Sequence, residues 1–159
     1  MSRFGLKIAK LFGRDLPAFK SRSEAEEELY KFRDARLQKI EKVSQMSEEF
    51  LADHSAESLK TMEKLYFDLF ESNDFSRIGS TRQEFEECMA MYYGEVFVRN
   101  VSDSDWIVEE YVFEKGKYEI GIRKDDLTIA LRRFTDHYKK PDNKRKQSIW
   151  REYKRYSAS

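Results

Sequence analysis

Cysteine, proline and glycine are scarce in this chain, and no stretch of it stays apolar for more than a few residues. The single cysteine, Cys88, rules out an intramolecular disulfide and, with it, zinc ribbons and dithiol redox motifs, and it suits a reducing, cytoplasmic setting. The run of roughly 20 apolar residues that would span a bilayer does not occur, and Lys7 and Lys10 interrupt what would be a signal-peptide core. Six glycines form no phosphate-cradling loop, because Gly116-Lys117 lacks the upstream glycine and the following Ser or Thr of a P-loop. His-Glu-x-x-His, Glu-x-x-His and EF-hand spacings are missing too, so the sequence signals no metal and no cofactor. Net charge is also absent: 30 Lys and Arg balance 30 Asp and Glu.

That balance conceals a segregation. Residues 1–22 carry Arg3, Lys7, Lys10, Arg14, Lys20 and Arg22 against Asp15 alone, and residues 132–159 carry ten cations against Asp136, Asp142 and Glu152. The stretch between them is acidic. Such a distribution points to an interaction, either of the ends with the middle or of each with a partner. An apolar share of 40%, 14% aromatics and only two prolines argue for a packed core despite the 38% charged content. The 159 residues suit one domain, burying roughly 70% of the surface the unfolded chain exposes. The domain reads as a basic amphipathic segment at 1–22, a helical and hairpin body at 23–138 and a basic aromatic helix at 139–159.

Periodicity supplies the elements. Phe4, Ile8, Leu11 and Phe12 predict a short amphipathic helix over 3–12, with the composition of a weak membrane-surface contact. Ser23 and Glu26 have capping-box spacing ahead of a long helix striped by Leu29, Phe32, Leu37, Ile40, Val43, Met46 and Phe50, which runs to about residue 52. Ser55 is an N-cap for a helix striped by Leu59, Met62, Leu65, Tyr66, Leu69 and Phe70, and Thr81 with Glu84 opens a third bearing Phe85, Cys88, Met89, Tyr92, Val96 and Phe97. Gly94 lies inside that third helix at a penalty of about 1 kcal/mol relative to alanine, which implies a close neighbouring backbone. From Trp106 the period becomes two, and Glu114-Lys115-Gly116-Lys117 turns a hairpin whose second strand holds Tyr118, Ile120 and Ile122. Leu127, Leu131, Phe134 and Tyr138 predict a fourth helix ending before Pro141, and Ile149, Trp150, Tyr153 and Tyr156 a fifth. The expected class is α+β: four to five helices, two of them long and antiparallel, packed on a small antiparallel sheet built around the hairpin.

The run Tyr92-Tyr93-Gly94-Glu95-Val96, with Arg99 one turn on and Trp106 after a polar loop, resembles a stretch of uncharacterised families of small bacterial proteins, domains of unknown function. There a helix carrying Gly-Glu-Val feeds a hairpin that opens with Trp. The resemblance covers residues 82–123. It implies a bacterial, cytoplasmic origin and brings no catalytic residues with it.

No side chains assemble into recognisable chemistry. Cys88 lies on the apolar stripe of its helix, where a cysteine acts as a small buried hydrophobe, and His54 and His137 sit apart at helix ends. Clusters such as Glu24, Glu26 to Glu28 and Glu84, Glu86, Glu87 occupy first turns, where carboxylates favour the positive end of the helix dipole. The candidate interaction residues are Lys144, Arg145, Lys146, Trp150, Arg151 and Tyr153, cations interleaved with aromatics. Cations neutralise phosphates and rings stack on bases, so nucleic acid is one expected partner. The same aromatics share one helical face, so their docking on the body is the other. We therefore expect a non-enzymatic cytoplasmic protein, an immunity protein or an adaptor, whose acidic surface binds a protein with a basic one; nucleic-acid binding through the C-terminal helix is the alternative.

Overall fold

The structure, a computed structural model, describes residues 13–131 and 146–158. The expected helix at 3–12 and the positions of Phe134, His137, Tyr138, Lys144 and Arg145 lie outside the described residues. Side-chain caps set the helix starts. Helix α1 (Arg22–Met46) opens at Ser21, whose hydroxyl accepts the Glu24 N–H at 3.1 Å, two residues before the expected Ser23. It ends at Met46 rather than near 52, because the Ser44 hydroxyl accepts the Ala52 N–H at 2.8 Å and folds the following segment back on the helix. Phe50 reaches the core from that loop, 1% exposed. Helix α2 (Ala56–Ser72) is capped by Ser55, and helix α3 (Arg82–Asn100) by Thr81, both as expected. Between them a 3-10 turn (Phe75–Ile78) ends at Gly79, where φ is +64°, and the Lys39 ammonium donates to the Gly79 carbonyl at 2.6 Å.

Strands β1 (Ser104–Glu110), β2 (Tyr118–Lys124) and β3 (Leu127–Ala130) form an antiparallel sheet in the order β1-β2-β3. The third strand corrects the start of the helix expected over residues 127–138: Leu127 is in β3, and Leu131, one residue past it, donates its N–H to the Ile120 carbonyl at 3.3 Å. Asp125 takes φ +51° in a two-residue turn, and Leu127 comes back opposite Lys124 with Ile129 opposite Ile122. The remaining edge of β2 is covered by the N-terminal segment: Phe19 donates its N–H to the Gly116 carbonyl at 2.9 Å, and Tyr118 donates to Pro17 at 3.1 Å. The last helix, α4 (Ser148–Ser157), lies on α2 and α3. The result is the α+β arrangement expected from the sequence, four helices around a small sheet.

Helix α3 is the hub. Its buried residues include Phe85, Cys88, Met89, Tyr92, Tyr93, Val96 and Phe97, and it meets α1, α2, α4, β1 and β2. Gly94 makes room for side chains rather than for the neighbouring backbone expected from the sequence. A Cβ there would overlap the Trp106 ring and lie 2.9 Å from Leu131 Cδ1, so only glycine admits the contact. The far side of Trp106 is covered by α1, where the Arg33 guanidinium lies 5.1 Å from the Trp106 ring centroid and 4.6 Å from that of Tyr30.

Candidate functional site

The cation-bearing C-terminal helix is held at both ends. Its N-terminus has no side-chain cap of its own: Gln147 stands at φ +49°, and the first amides turn to α2 instead. There the Glu63 carboxylate, 2% exposed, accepts the Ser148 N–H at 3.1 Å and the Ile149 N–H at 3.0 Å. Burial pushes the Glu63 carboxyl above the usual carboxylate range, opposed by the two amide hydrogen bonds. At the other end the Lys124 ammonium of β2 donates to the carbonyls of Tyr156 (3.3 Å) and Ser157 (3.0 Å). A carboxylate at the N-terminus and an ammonium at the C-terminus each meet the helix dipole with the favourable sign. Between the ends, Ile149 and Tyr153 are buried, and Tyr153 packs edge-on to Phe97 with ring centroids 5.8 Å apart.

Of the candidate interaction residues, Tyr153 is thus spent on docking. Trp150 is half-buried, with the Lys60 ammonium 4.0 Å from its ring centroid and Lys154 at 5.5 Å. Lys146 and Arg151 are exposed and make no ion pair among the described residues. The structure therefore separates the four that are described: Trp150 and Tyr153 turn toward the body, Lys146 and Arg151 toward solvent. Sequence reasoning missed Glu63 and Lys124. Glu63 carried a signal, since it falls on the apolar face of α2 with Leu59, Met62 and Tyr66, where an acid needs a buried partner; Lys124 carried none.

A second surface lies along β1. Tyr111 donates its N–H to Lys117, directly opposite, at 2.7 Å, so the alternating pattern joins Asp105, Ile107 and Glu109 to β2. The N–H and C=O groups of Ser104, Trp106, Val108 and Glu110 then point away from the sheet, and no backbone partner meets them among the described residues. The stretch 101–114 holds Asp103, Asp105, Glu109, Glu110 and Glu114 and no Lys or Arg. Glu109 is bound by Arg123 at 2.7 Å, whereas Asp103, Asp105, Glu110 and Glu114 are exposed and make no ion pair among the described residues.

Polar groups inside the body serve the fold. The Tyr92 hydroxyl shares a 2.7 Å hydrogen bond with the Ser58 hydroxyl and accepts the His54 N–H at 3.0 Å, while Asn100 donates to the His54 carbonyl at 2.7 Å. These bonds hold His54, at φ +63°, in the α1–α2 connection; its Nε2 stands 3.8 Å from Glu41. Tyr66 donates to the buried Glu86 at 2.6 Å. Burial pushes the Cys88 thiol up to about 12, which suppresses the thiolate a nucleophile would need. Among the described residues, no group of three or more His, Cys, Asp or Glu is placed to hold a metal ion, and no helix is long and apolar enough to cross a membrane.

A buried central helix, a hairpin-based sheet closed by a third strand and a clamped terminal helix define a helical α+β domain. The chain belongs to the family described as uncharacterised protein YwmA, whose profile matches residues 18–157. An uncharacterized protein YwmA of Bacillus subtilis (strain 168) is 27% identical over 115 residues, which are 72% of this chain and 73% of the relative. No solved structure matches it. The likeness to uncharacterised bacterial proteins first carried by residues 82–123 thus extends over most of the chain.

Proposed function

We propose that this chain is a non-enzymatic cytoplasmic protein, an immunity protein or an adaptor, that binds a basic surface of another protein through its acidic hairpin region. One observation carries the reading: four exposed carboxylates, Asp103, Asp105, Glu110 and Glu114, stand on and beside a strand edge that meets no backbone partner, and none of them is in an ion pair, among the described residues. Unneutralised charge of one sign speeds encounter with the opposite sign and repels its own. The burial of Tyr153 and the lysine-covered face of Trp150 weigh against base stacking by the C-terminal helix. In-cell cross-linking of the native chain followed by mass spectrometry tests this, with a variant carrying Asp105→Lys, Glu110→Lys and Glu114→Lys alongside. A defined protein partner, lost in the variant, is the expected result. Recovery of RNA or DNA instead, unchanged in the variant, would establish the nucleic-acid alternative.

A further inference from the structure

Within that reading, we infer that the outer edge of β1 binds its partner by strand addition: an extended segment alternating Lys or Arg with β-branched residues pairs its main chain with Ser104–Glu110. Sheet edges are a hazard that proteins blunt with short strands, bulges, prolines or lysines. Among the described residues this edge has no proline, bulge or lysine, and the charged side chains it does carry are all acidic. β1 runs seven residues, its register with β2 is unbroken from Ser104 opposite Lys124 to Glu110 opposite Tyr118, and it contains neither proline nor lysine. On the other side of β2 the four-residue β3 and the Pro17–Phe19 segment take up the backbone groups, so the sheet's other edge is a short strand.

Charge decides the occupant. A second copy pairing antiparallel over the whole strand would be centred on Ile107 and would set Asp105 opposite Glu109 twice, two acids against a single Arg123 at each pair, a net like-charge arrangement that destabilises a sheet. A basic strand reverses that sign. The pleat also sets its pattern. Asp105, Ile107 and Glu109 share one face of β1, while Trp106 and Val108 share the other, the face turned to the core. Alternate residues of the incoming strand therefore lie beside the two carboxylates and beside the Trp106–Val108 face, which asks for Lys or Arg at the first set and a β-branched residue at the second.

The test uses the intact protein and three synthetic end-capped octapeptides: alternating Lys-Val, the same peptide N-methylated at every second residue, and alternating Glu-Val. Calorimetric titration gives affinity, and amide hydrogen exchange followed by NMR reports on the strand. We expect saturable binding of Lys-Val that weakens as salt rises, slowed exchange of the Trp106 and Val108 amides, and at least a tenfold loss for the N-methylated peptide, which keeps the charge and loses the donors. Glu-Val should not bind, and Asp105→Lys, an exposed change, should weaken Lys-Val at least tenfold while leaving the melting temperature in place. Equal affinity for the methylated and unmethylated peptides, without amide protection, would overturn strand addition and leave the basic-partner reading standing. Failure of both cationic peptides to bind would overturn both.

Discussion

Helices α3 and α4 both lie against the core, but they are held there by different forces. Helix α3 is buried on nearly every side, by apolar rings and by polar groups whose partners are also inside, such as Tyr92 with Ser58. Helix α4 presents one apolar face, through Ile149 and Tyr153, and depends at its ends on two charged side chains from distant elements, Glu63 and Lys124. Burial is non-directional, and any replacement that changes volume has a cost. A terminal charge is directional and acts only where the first amides or last carbonyls are unmet. The acidic edge strand follows from the same division: interior helices take up the core, and charge is left for the periphery.

The sharpest break in this comparison should come from Phe97, where the two helices touch. Its ring is fully buried on α3 and receives the edge of Tyr153 from α4. Phe97→Ala should destabilise the protein by about 3–5 kcal/mol, the range for emptying an aromatic site in a core. Chemical denaturation measures it. A loss below about 1 kcal/mol would mean that α4 does not complete the core there.

Gly94→Leu follows, from the opposite direction. Its side chain would enter the space of the Trp106 ring and the Leu131 methyl, so an overpacking loss of about 1–3 kcal/mol is expected, visible as a lowered melting temperature. Trp106 fluorescence should shift with it, since the ring must move from between Gly94 and Arg33.

Glu63 tests the terminus of α4 alone. Glu63→Ala leaves the Ser148 and Ile149 amides without their acceptor, a loss of about 1–2 kcal/mol in line with other N-cap removals. Protonation gives a second reading. The folded-state pKa of Glu63 is raised, so over the range above the ordinary carboxylate value the folded chain binds more protons than the unfolded one. Stability of the native protein relative to Glu63→Gln should therefore rise as pH falls from neutrality through the raised pKa, and stay flat at alkaline pH. An opposite slope would mean that the two amide bonds outweigh burial.

Local signals in the sequence located what local chemistry builds. Ser55 and Thr81 cap their helices, Gly94 marks a close approach, the hairpin follows Trp106, and Cys88 is buried. The readings that failed depended on contacts beyond the local window. Leu127 and Leu131 have helical spacing, yet pairing with β2 takes them into the sheet, aided by Asp125 in the left-handed region. The end of α1 depends on Ser44, whose hydroxyl captures a backbone amide eight residues on. Glu63 and the start of α4 lie more than eighty residues apart, and no pattern in one sequence couples them. The acidic middle of the chain was legible as composition, but the gathering of acids along β1, and a backbone edge there without a partner among the described residues, became visible only with the register of β1 on β2.

The smallest effect completes the comparison between burial and charge. Lys146, just before α4, and Arg151 and Lys154 on its solvent side are exposed, none in an ion pair among the described residues, and Lys154 lies beside the Trp150 ring. Replacement by glutamine nearly preserves helix propensity and removes charge alone, so each change should alter stability by no more than about 0.5 kcal/mol. The contrast with Glu63 is the informative quantity, because all four charges lie at α4 and only Glu63, reaching it from α2, meets backbone groups that nothing else satisfies. Urea denaturation at low and at physiological salt measures it: the three glutamine variants should track the native protein at both. A loss above about 1 kcal/mol that shrinks as salt rises would show these cations drawn to the acidic body, and α4 would then be held by its face as much as by its ends.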